Sequence, residues 1–302
     1  MFTTILCSAL CSVPADPQAP EVSAEVPGSY VIGKPFVVKL SYAAGDEPVA
    51  FEAWRLGAGA FEVDGKPLGE RGAGTIPLLP HSKLTAETDL SSALAGVRGS
   101  MALAVAGGGS HAVTVYQAAD AGVNFLEMTP EFLKEYLVLL QTNRGDMLVE
   151  FWPDVAPKHV QNFLDLAYTG FYDGTSFHRV SPAFMIQGGD PNTKTDDKSS
   201  WGTGRGPRLL QAEFNDKKHV RGVLSMARGP SPNSASSQFF VMTKDYPSLD
   251  HQYSVFGRLV TGEDTLDRIA TAKGVKEPRD GTVRPDEPQR IEKAVVVRRT
   301  GA

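Results

Sequence analysis

Between Phe177 and Asp190 the chain reads Phe-His-Arg-Val-Ser-Pro-Ala-Phe-Met-Ile-Gln-Gly-Gly-Asp, and no other stretch narrows the possible folds as far. Alternation predicts Phe177, Arg179 and Ser181 on one face of a strand, with His178 and Val180 on the other. Pro182, which has no N–H to give to a ladder, ends that strand. The permanently charged, planar guanidinium of Arg179 is thereby set beside whatever Phe184 and Met185 line, with the amide of Gln187 following and a glycine pair closing the segment. Taken alone, the stretch also fits a barrel strand carrying a surface arginine.

Further along, Val223 to Val241 reads Val-Leu-Ser-Met-Ala-Arg-Gly-Pro-Ser-Pro-Asn-Ser-Ala-Ser-Ser-Gln-Phe-Phe-Val, an apolar strand, a Pro/Asn/Ser loop and a second apolar strand. With the first stretch and Tyr253-Ser254-Val255-Phe256-Gly257, this resembles the cyclophilin-type peptidyl-prolyl isomerases from about Leu137 to the C-terminus. Arg228 and the Pro232-Asn233-Ser234-Ala235 loop resemble the bacterial form of that family. The resemblance implies a mainly β protein whose C-terminal part is a closed eight-stranded antiparallel β-barrel capped by two α-helices, an arrangement without free sheet edges. It also implies an activity: cis–trans isomerisation of X–Pro bonds in protein substrates, assisting protein folding.

Rotation about a peptide bond meets a barrier of ~18–20 kcal/mol because nitrogen donates its lone pair to the carbonyl, and X–Pro exchange takes tens of seconds or more. A donor aimed at the prolyl nitrogen stabilises it once it becomes pyramidal, and a fixed guanidinium in a partly dehydrated groove stays protonated while doing so. By match to the family motif, the catalytic residues are Arg179, Gln187 and Phe184. Phe184, Met185, Phe240 and Leu249 line the pocket for the proline ring, Gln187 and Gln238 hold backbone groups of the peptide, and Ala227 and Arg228 supply the strand against which it lies. Tyr253 completes the binding set, standing where the eukaryotic branch carries a histidine. Four other departures are noted: Arg228 for an asparagine, Ser248 for a tryptophan, and Ser236 and His251 at two loop positions usually held by glycine. If either of the last two backbones sits at positive φ, the side chain costs stability or shifts the loop.

The remaining composition bounds the alternatives. At 302 residues there is length for two ordinary domains. The net charge of −5, with Lys and Arg dispersed, leaves no basic stripe for nucleic acid or anionic lipid. No apolar run approaches the ~20 residues needed to cross a bilayer. The only cysteines, Cys7 and Cys11, lie in the leader, so no disulfide framework and no metal site is expected in the body, and no cofactor is needed. His178 is read as a strand residue packing outside the site, and no Ser-His-Asp trio can be assembled from the sequence.

In chain order, Phe2 to Val13 is a short apolar run followed by Val13-Pro14-Ala15, which fits a signal-peptidase cut, although no Lys or Arg precedes Lys34. Export to the periplasm is favoured over a cytoplasmic location, with residues 1–20 as leader and tether and the Pro/Ala-rich Asp16 to Ala24 read as the tether. Residues 21–120 predict an immunoglobulin-like β-sandwich: Phe36, Val38, Leu40 and Tyr42 alternate, and further strands are expected at Val49–Leu56, Phe61–Val63 leading into an Asp64-Gly65 turn, Lys83–Leu90, Met101–Ala106 and His111–Gln117. Trp54 is read as core, and the partner of this domain is unknown.

Residues 121–136 are read as a linker and 137–302 as the isomerase-like domain. That domain opens with a hairpin, Tyr136–Thr142 and Met147–Trp152. A helix then starts at Pro157, carries Val160, Phe163, Leu164 and Ala167 on one side and ends near Gly170. A second follows a capping-box-like pair, Thr261 and Asp264, with Leu266, Ile269 and Ala270 buried, and Gln289–Val297 is the last strand. Two functional readings are carried forward. One is an active isomerase acting on proline-containing peptides and unfolded or folding proteins; the other is a catalytically weak proline-peptide binding module in a two-domain interaction protein.

Overall fold

A computed structural model describes residues 20–298 apart from Asp64, Arg98, Pro278 and Arg279. The leader through residue 19, with both cysteines, and the first residue of the Asp64-Gly65 turn lie outside the described residues. The chain divides into two compact units, Met1–Val115 and Tyr116–Ala302.

The first unit is built from β1 (Glu21–Glu25), β2 (Ser29–Val31), β3 (Val37–Ala43), β4 (Val49–Glu52), β5 (Phe61–Val63), β6 (Lys66–Pro67), β7 (Thr75–Leu78), β8 (Lys83–Asp89), β9 (Gly99–Val105) and β10 (Gly109–Ala118) up to Val115. One sheet has the order β1-β3-β8, β4 pairs with β7, and β10 joins β2 and β9, with β5 and β6 beyond. The alternation in the sequence is realised: Phe36, Val38, Leu40 and Tyr42 are all 2% exposed or less. Two expectations need correction. Residues 21–24 of the supposed tether are strand, held to β3 by the register Glu21↔Ala43 to Glu25↔Lys39. The strand expected at Val49–Leu56 stops at Glu52, and the chain turns through a 3-10 segment at Ala53–Leu56. That turn lifts Trp54 out of the core to a half-buried position, where the guanidinium of Arg71 lies 4.7 Å from its ring centre and that of Arg55 5.2 Å.

The second unit begins before the hairpin. Phe125, and Leu133 at the end of α1 (Pro130–Leu133), are both fully buried in its core, so residues expected as linker are packed. Next come β11 (Tyr136–Thr142), β12 (Gly145–Phe151), α2 (Pro157–Tyr168), β13 (Ser176–Phe177), β14 (Arg179–Val180), β15 (Met185–Gly188), β16 (Val223–Met226), β17 (Phe239–Met242), β18 (Val255–Thr261), α3 (Glu263–Ala270), β19 (Gly274–Lys276), β20 (Val283–Pro285) and β21 (Gln289–Arg298). Antiparallel pairing runs β19-β20-β14-β15-β17-β16-β18-β12-β11-β21, and β13, one residue before β14, pairs with β21 through Ser176↔Arg290 and Phe177↔Gln289. The mainly β, few-helix architecture is as the sequence implies.

Helix α2 has Pro157 at its first turn and buries Val160, Phe163, Leu164 and Ala167. Its N-cap, Ala156, has no side-chain oxygen; instead the carboxylate of Glu213 accepts from the N–H groups of Lys158 (3.1 Å) and His159 (3.0 Å). Helix α3 buries Leu266, Ile269 and Ala270 as expected, but the Thr261/Asp264 capping box does not form. Gly262 is the N-cap at φ +101°, and a β-carbon there would stand 2.4 Å from the Asp146 carbonyl oxygen, so close backbone approach and not a hydroxyl sets this helix start.

Candidate active site

The strand predicted through Phe177, Arg179 and Ser181 changes partner at His178: β13 pairs with β21, whereas β14 pairs with β15 and β20. Phe177 and Val180 therefore both enter the core, and Arg179 is left facing outward, which corrects the simple alternation. Arg179 lies directly opposite Gln187 in the β14–β15 register, and Gln187 lies opposite Phe240 in β17. That register carries a polar chain. Arg179 Nη1 donates to Gln187 Oε1 (2.8 Å), Gln187 Nε2 donates to Gln238 Oε1 (2.9 Å), and Gln238 Nε2 donates to the carbonyls of Gly202 (3.1 Å) and Gly204 (2.7 Å).

Beside this chain is a cavity of about 170 Å³ lined by Arg179, Phe184, Met185, Gln187, Ala227, Arg228, Phe240, Leu249 and Tyr253. Gln238, the remaining candidate, stands behind Gln187 and lines a neighbouring cavity with Ala227 and Arg228. The space is well below the roughly 300–1,000 Å³ of sites that enclose a whole small molecule, and its size suits one inserted side chain. Met185 and Phe240 form its buried floor at 1% and 5% exposure. The Arg179 guanidinium carbon lies 5.8 Å from the centre of the Phe184 ring, which in turn packs 4.7 Å from Tyr246. Arg228 ties its own loop to the next: Nη1 donates to the Gly229 and Pro230 carbonyls (3.0 and 3.2 Å), Nε and Nη2 donate to the Gln252 carbonyl (3.2 and 3.1 Å), and its guanidinium lies 4.8 Å from the Tyr253 ring centre.

Two groups of residues escaped the sequence reading. A Ser-His-Asp cluster does exist beneath the floor: His219 Nδ1 is 3.1 Å from Asp250 Oδ1 and its Nε2 is 3.1 Å from Ser225 Oγ, while the imidazole stacks on Phe240 at 6.1 Å. Ser225 is 0% exposed within β16, so no substrate reaches its oxygen and the cluster acts as a brace for the pocket floor. Burial pushes the His219 imidazole below its ordinary range, against the pull of Asp250. The second group is Asp280 and Thr282, whose side chains both contact Arg179. The only local signal for them was Asp-Gly, a turn dipeptide.

The two loop substitutions behave differently. Ser236 avoids positive φ; its hydroxyl donates to the Arg208 carbonyl (2.7 Å), so the missing glycine costs nothing visible. His251 does sit at φ +60°, exposed and outside the pocket lining. Its contacts, 3.7 Å to Asp216 and 3.4 Å to Lys218, are on the surface and contribute little. His251→Gly is therefore expected to raise stability by about 0.5–1 kcal/mol through relief of left-handed strain, read as a higher melting temperature. An unchanged or lower value would show that the strain is absent.

His178 is buried outside the active pocket, and burial pushes its imidazole down to about 4. Unfolded histidine titrates near ~6.5, so between these values the unfolded chain binds more protons than the folded one. The stability that His178 contributes is complete above pH ~6.5 and is lost as pH falls toward 4, in total about 3 kcal/mol, with His219 acting in the same direction. Melting of the wild type should drop more between pH 7 and 4.5 than melting of His178→Gln; equal drops would reject the assignment.

No helix of the described residues is long and apolar enough to cross a membrane, and no group of three or more His, Cys, Asp or Glu among them could hold a metal ion.

The profile of the family described as cyclophilin type peptidyl-prolyl cis-trans isomerase/CLD matches residues 137–296. A probable peptidyl-prolyl cis-trans isomerase of Brucella abortus is 42% identical over 167 residues, 54% of this chain and 83% of that protein. The peptidyl-prolyl cis-trans isomerase ppi1 of Schizosaccharomyces pombe is 41% identical over 167 residues, 53% of this chain and 98% of that one. Among solved structures, a Cryptosporidium parvum cyclophilin-type isomerase, crystallised in the presence of the dipeptide Ala-Pro, aligns at 31% identity and a TM-score of 0.47, covering 55% of this chain and 99% of that one. With the family profile spanning its second unit, the chain belongs to the cyclophilin-type peptidyl-prolyl cis-trans isomerases, enzymes that speed rotation about X–Pro bonds.

Proposed function

We propose that the cavity between Arg179 and Phe240 takes the proline ring of a peptide, with Arg179 donating to the prolyl nitrogen as the C–N bond turns. The observation that carries this is a guanidinium fixed by Gln187 at the rim of a small pocket with an apolar floor. As the nitrogen becomes pyramidal its lone pair leaves the carbonyl and can accept a hydrogen bond, so the arginine binds the twisted state better than either planar one. Phe184, Met185, Phe240 and Leu249 hold the ring by apolar contact. Gln187 and Gln238 hold the peptide backbone, and Ala227 offers its carbonyl, since its N–H already donates to the Gln238 carbonyl (2.9 Å). Arg228 and Tyr253, stacked on one another, wall the groove on the peptide's other flank. No proton changes hands, and the scheme uses no cofactor.

The substrates in this reading are proline-containing segments of unfolded or folding proteins. The barrel is taken as closed, which is supported by the β13–β21 pairing one residue from β14, at the opposite end of the strand path from β21. The first unit is read as an immunoglobulin-like sandwich and a separate domain, supported by the buried alternation of β3 and by the β1-β3-β8 sheet. The test is catalysed exchange of a short X–Pro peptide by the full chain. Exchange no faster than in buffer, with the peptide still bound, would instead favour the binding-module reading.

A further inference from the structure

Arg179 is held from behind by the hairpin β19–β20, whose turn carries Asp280, 101 residues further along the chain. Its strands pair Gly274↔Pro285, Val275↔Arg284 and Lys276↔Val283, and β20 is pinned to β14 by Val180↔Val283. The hairpin end is closed by Glu277 N–H to the Thr282 carbonyl (2.7 Å) and Gly281 N–H to the Glu277 carbonyl (3.0 Å), with Gly281 at φ +69°. This turn presents two side chains to the guanidinium. Arg179 Nε donates to Thr282 Oγ1 (3.1 Å), and Arg179 Nη2 donates to Asp280 Oδ2 (2.5 Å). Thr282 Oγ1 in turn donates to Asp280 Oδ1 (2.6 Å), and the same oxygen accepts from Thr282 N–H (3.0 Å). Arginine, threonine and aspartate thus close a ring.

The ring fixes which donors remain. A guanidinium has five N–H groups, and Thr282, Gln187 and Asp280 engage three of them, one on each nitrogen. One N–H on Nη1 and one on Nη2 are left, and the plane that contains them is set by contacts along three of its edges. Among the described charged residues that line the cavity behind Arg179, the other cation, Arg284, is paired with Glu277 at 2.7 Å. Burial opposes ionisation of Asp280, yet the Thr282 hydrogen bonds and the Arg179 charge hold its carboxyl below the usual range, so it is a carboxylate throughout the working pH range.

We propose that Asp280 and Thr282 are positioning residues for the isomerase reaction, holding the Arg179 guanidinium in the plane from which its two remaining N–H groups reach the prolyl nitrogen. This rests on the role given to Arg179. A misplacement of about 1 Å in a reacting geometry can cost on the order of a hundredfold in rate, and here a flexible arginine would lose two of its three anchors.

The experiment measures kcat and KM of the full chain on one X–Pro peptide for Asp280→Ala, Asp280→Asn, Thr282→Val and Arg179→Ala, with each single hairpin variant also made in the Arg179→Ala background. Asp280→Ala and Thr282→Val are each expected to lower kcat about tenfold with KM within about twofold, the pattern of lost transition-state geometry. Asp280→Asn keeps an acceptor oxygen and should recover about half of the loss on a logarithmic scale. In the Arg179→Ala background the hairpin variants should lower kcat no further, because their effect passes through the guanidinium. Wild-type kcat in both hairpin single variants, or a rise on freeing the donors, overturns the proposal while leaving Arg179 in place. An equal further loss in the Arg179→Ala background also overturns it. Full activity in Arg179→Ala itself would remove the underlying reading. Melting temperatures within a few degrees of wild type for Asp280→Asn keep the comparison valid should Asp280→Ala fold poorly.

Discussion

Arg179→Ala should lower kcat/KM on an X–Pro peptide by roughly a hundredfold while the melting temperature stays nearly unchanged. The rate estimate follows from losses of 10²–10³ on removing a single preorganised donor that acts on a developing charge or lone pair. The stability estimate follows from placement: the side chain is 30% exposed and belongs to none of the buried apolar clusters, because the partner change at His178 turned it outward. The carboxylate it abandons, Asp280, is equally exposed and keeps both hydrogen bonds from Thr282, so no uncompensated buried charge is created. The measurement is peptide exchange beside a thermal melt. Near-wild-type exchange with a normal melt would sink the assignment of Arg179.

Phe240→Ala should behave in the opposite manner, with stability and activity falling together. The ring is 5% exposed, lies opposite both Gln187 and Ser225 across β17, and packs against His219 at 6.1 Å and Tyr253 at 5.7 Å. Truncation empties the floor of the pocket and removes the cover from the His219–Ser225–Asp250 brace. Large aromatic truncations of this kind cost roughly 3–5 kcal/mol, which for a unit of this size corresponds to a drop of about 10 °C in melting temperature. Activity should fall through KM as well as kcat, since the ring-binding surface itself is lost. An unchanged melting temperature would mean that Phe240 is not packed as described.

Much of the pocket was legible through the resemblance to the cyclophilin family, whose motif residues are concentrated in three short sequence blocks: Arg179 to Gln187, Ala227 to Phe240, and Leu249 to Tyr253. The amphipathic stripe of α2 was legible without it, being a local period. Contacts made at long range were not. Glu213 caps α2 from 54 residues beyond His159, and a carboxylate in a loop has no sequence signal that aims it at a distant helix. Asp280 lies 101 residues from the arginine it holds, and in isolation Asp-Gly announces only a turn. The strand change at His178 was hidden because alternation assumes a single ladder, whereas this segment leaves one partner for another within three residues. Gly262 displaced a plausible capping box because the closeness of the Asp146 backbone, a tertiary fact, allows no β-carbon.

The position of β21 has a consequence for how the chain comes into being. Strand β21 pairs with β11, the first long strand of the second unit, and with β13, so a segment translated late lies between two that were translated well before it. A ribosome that has released residues up to about 285 has delivered the whole arginine pocket but not the strand beside β11 and β13. Until Gln289–Arg298 emerges, the ladders of β11 and β13 that await it stay unpaired, a condition that invites association with other chains. The X–Pro isomerase unit is thus itself left incomplete until long after its first hairpin has been made.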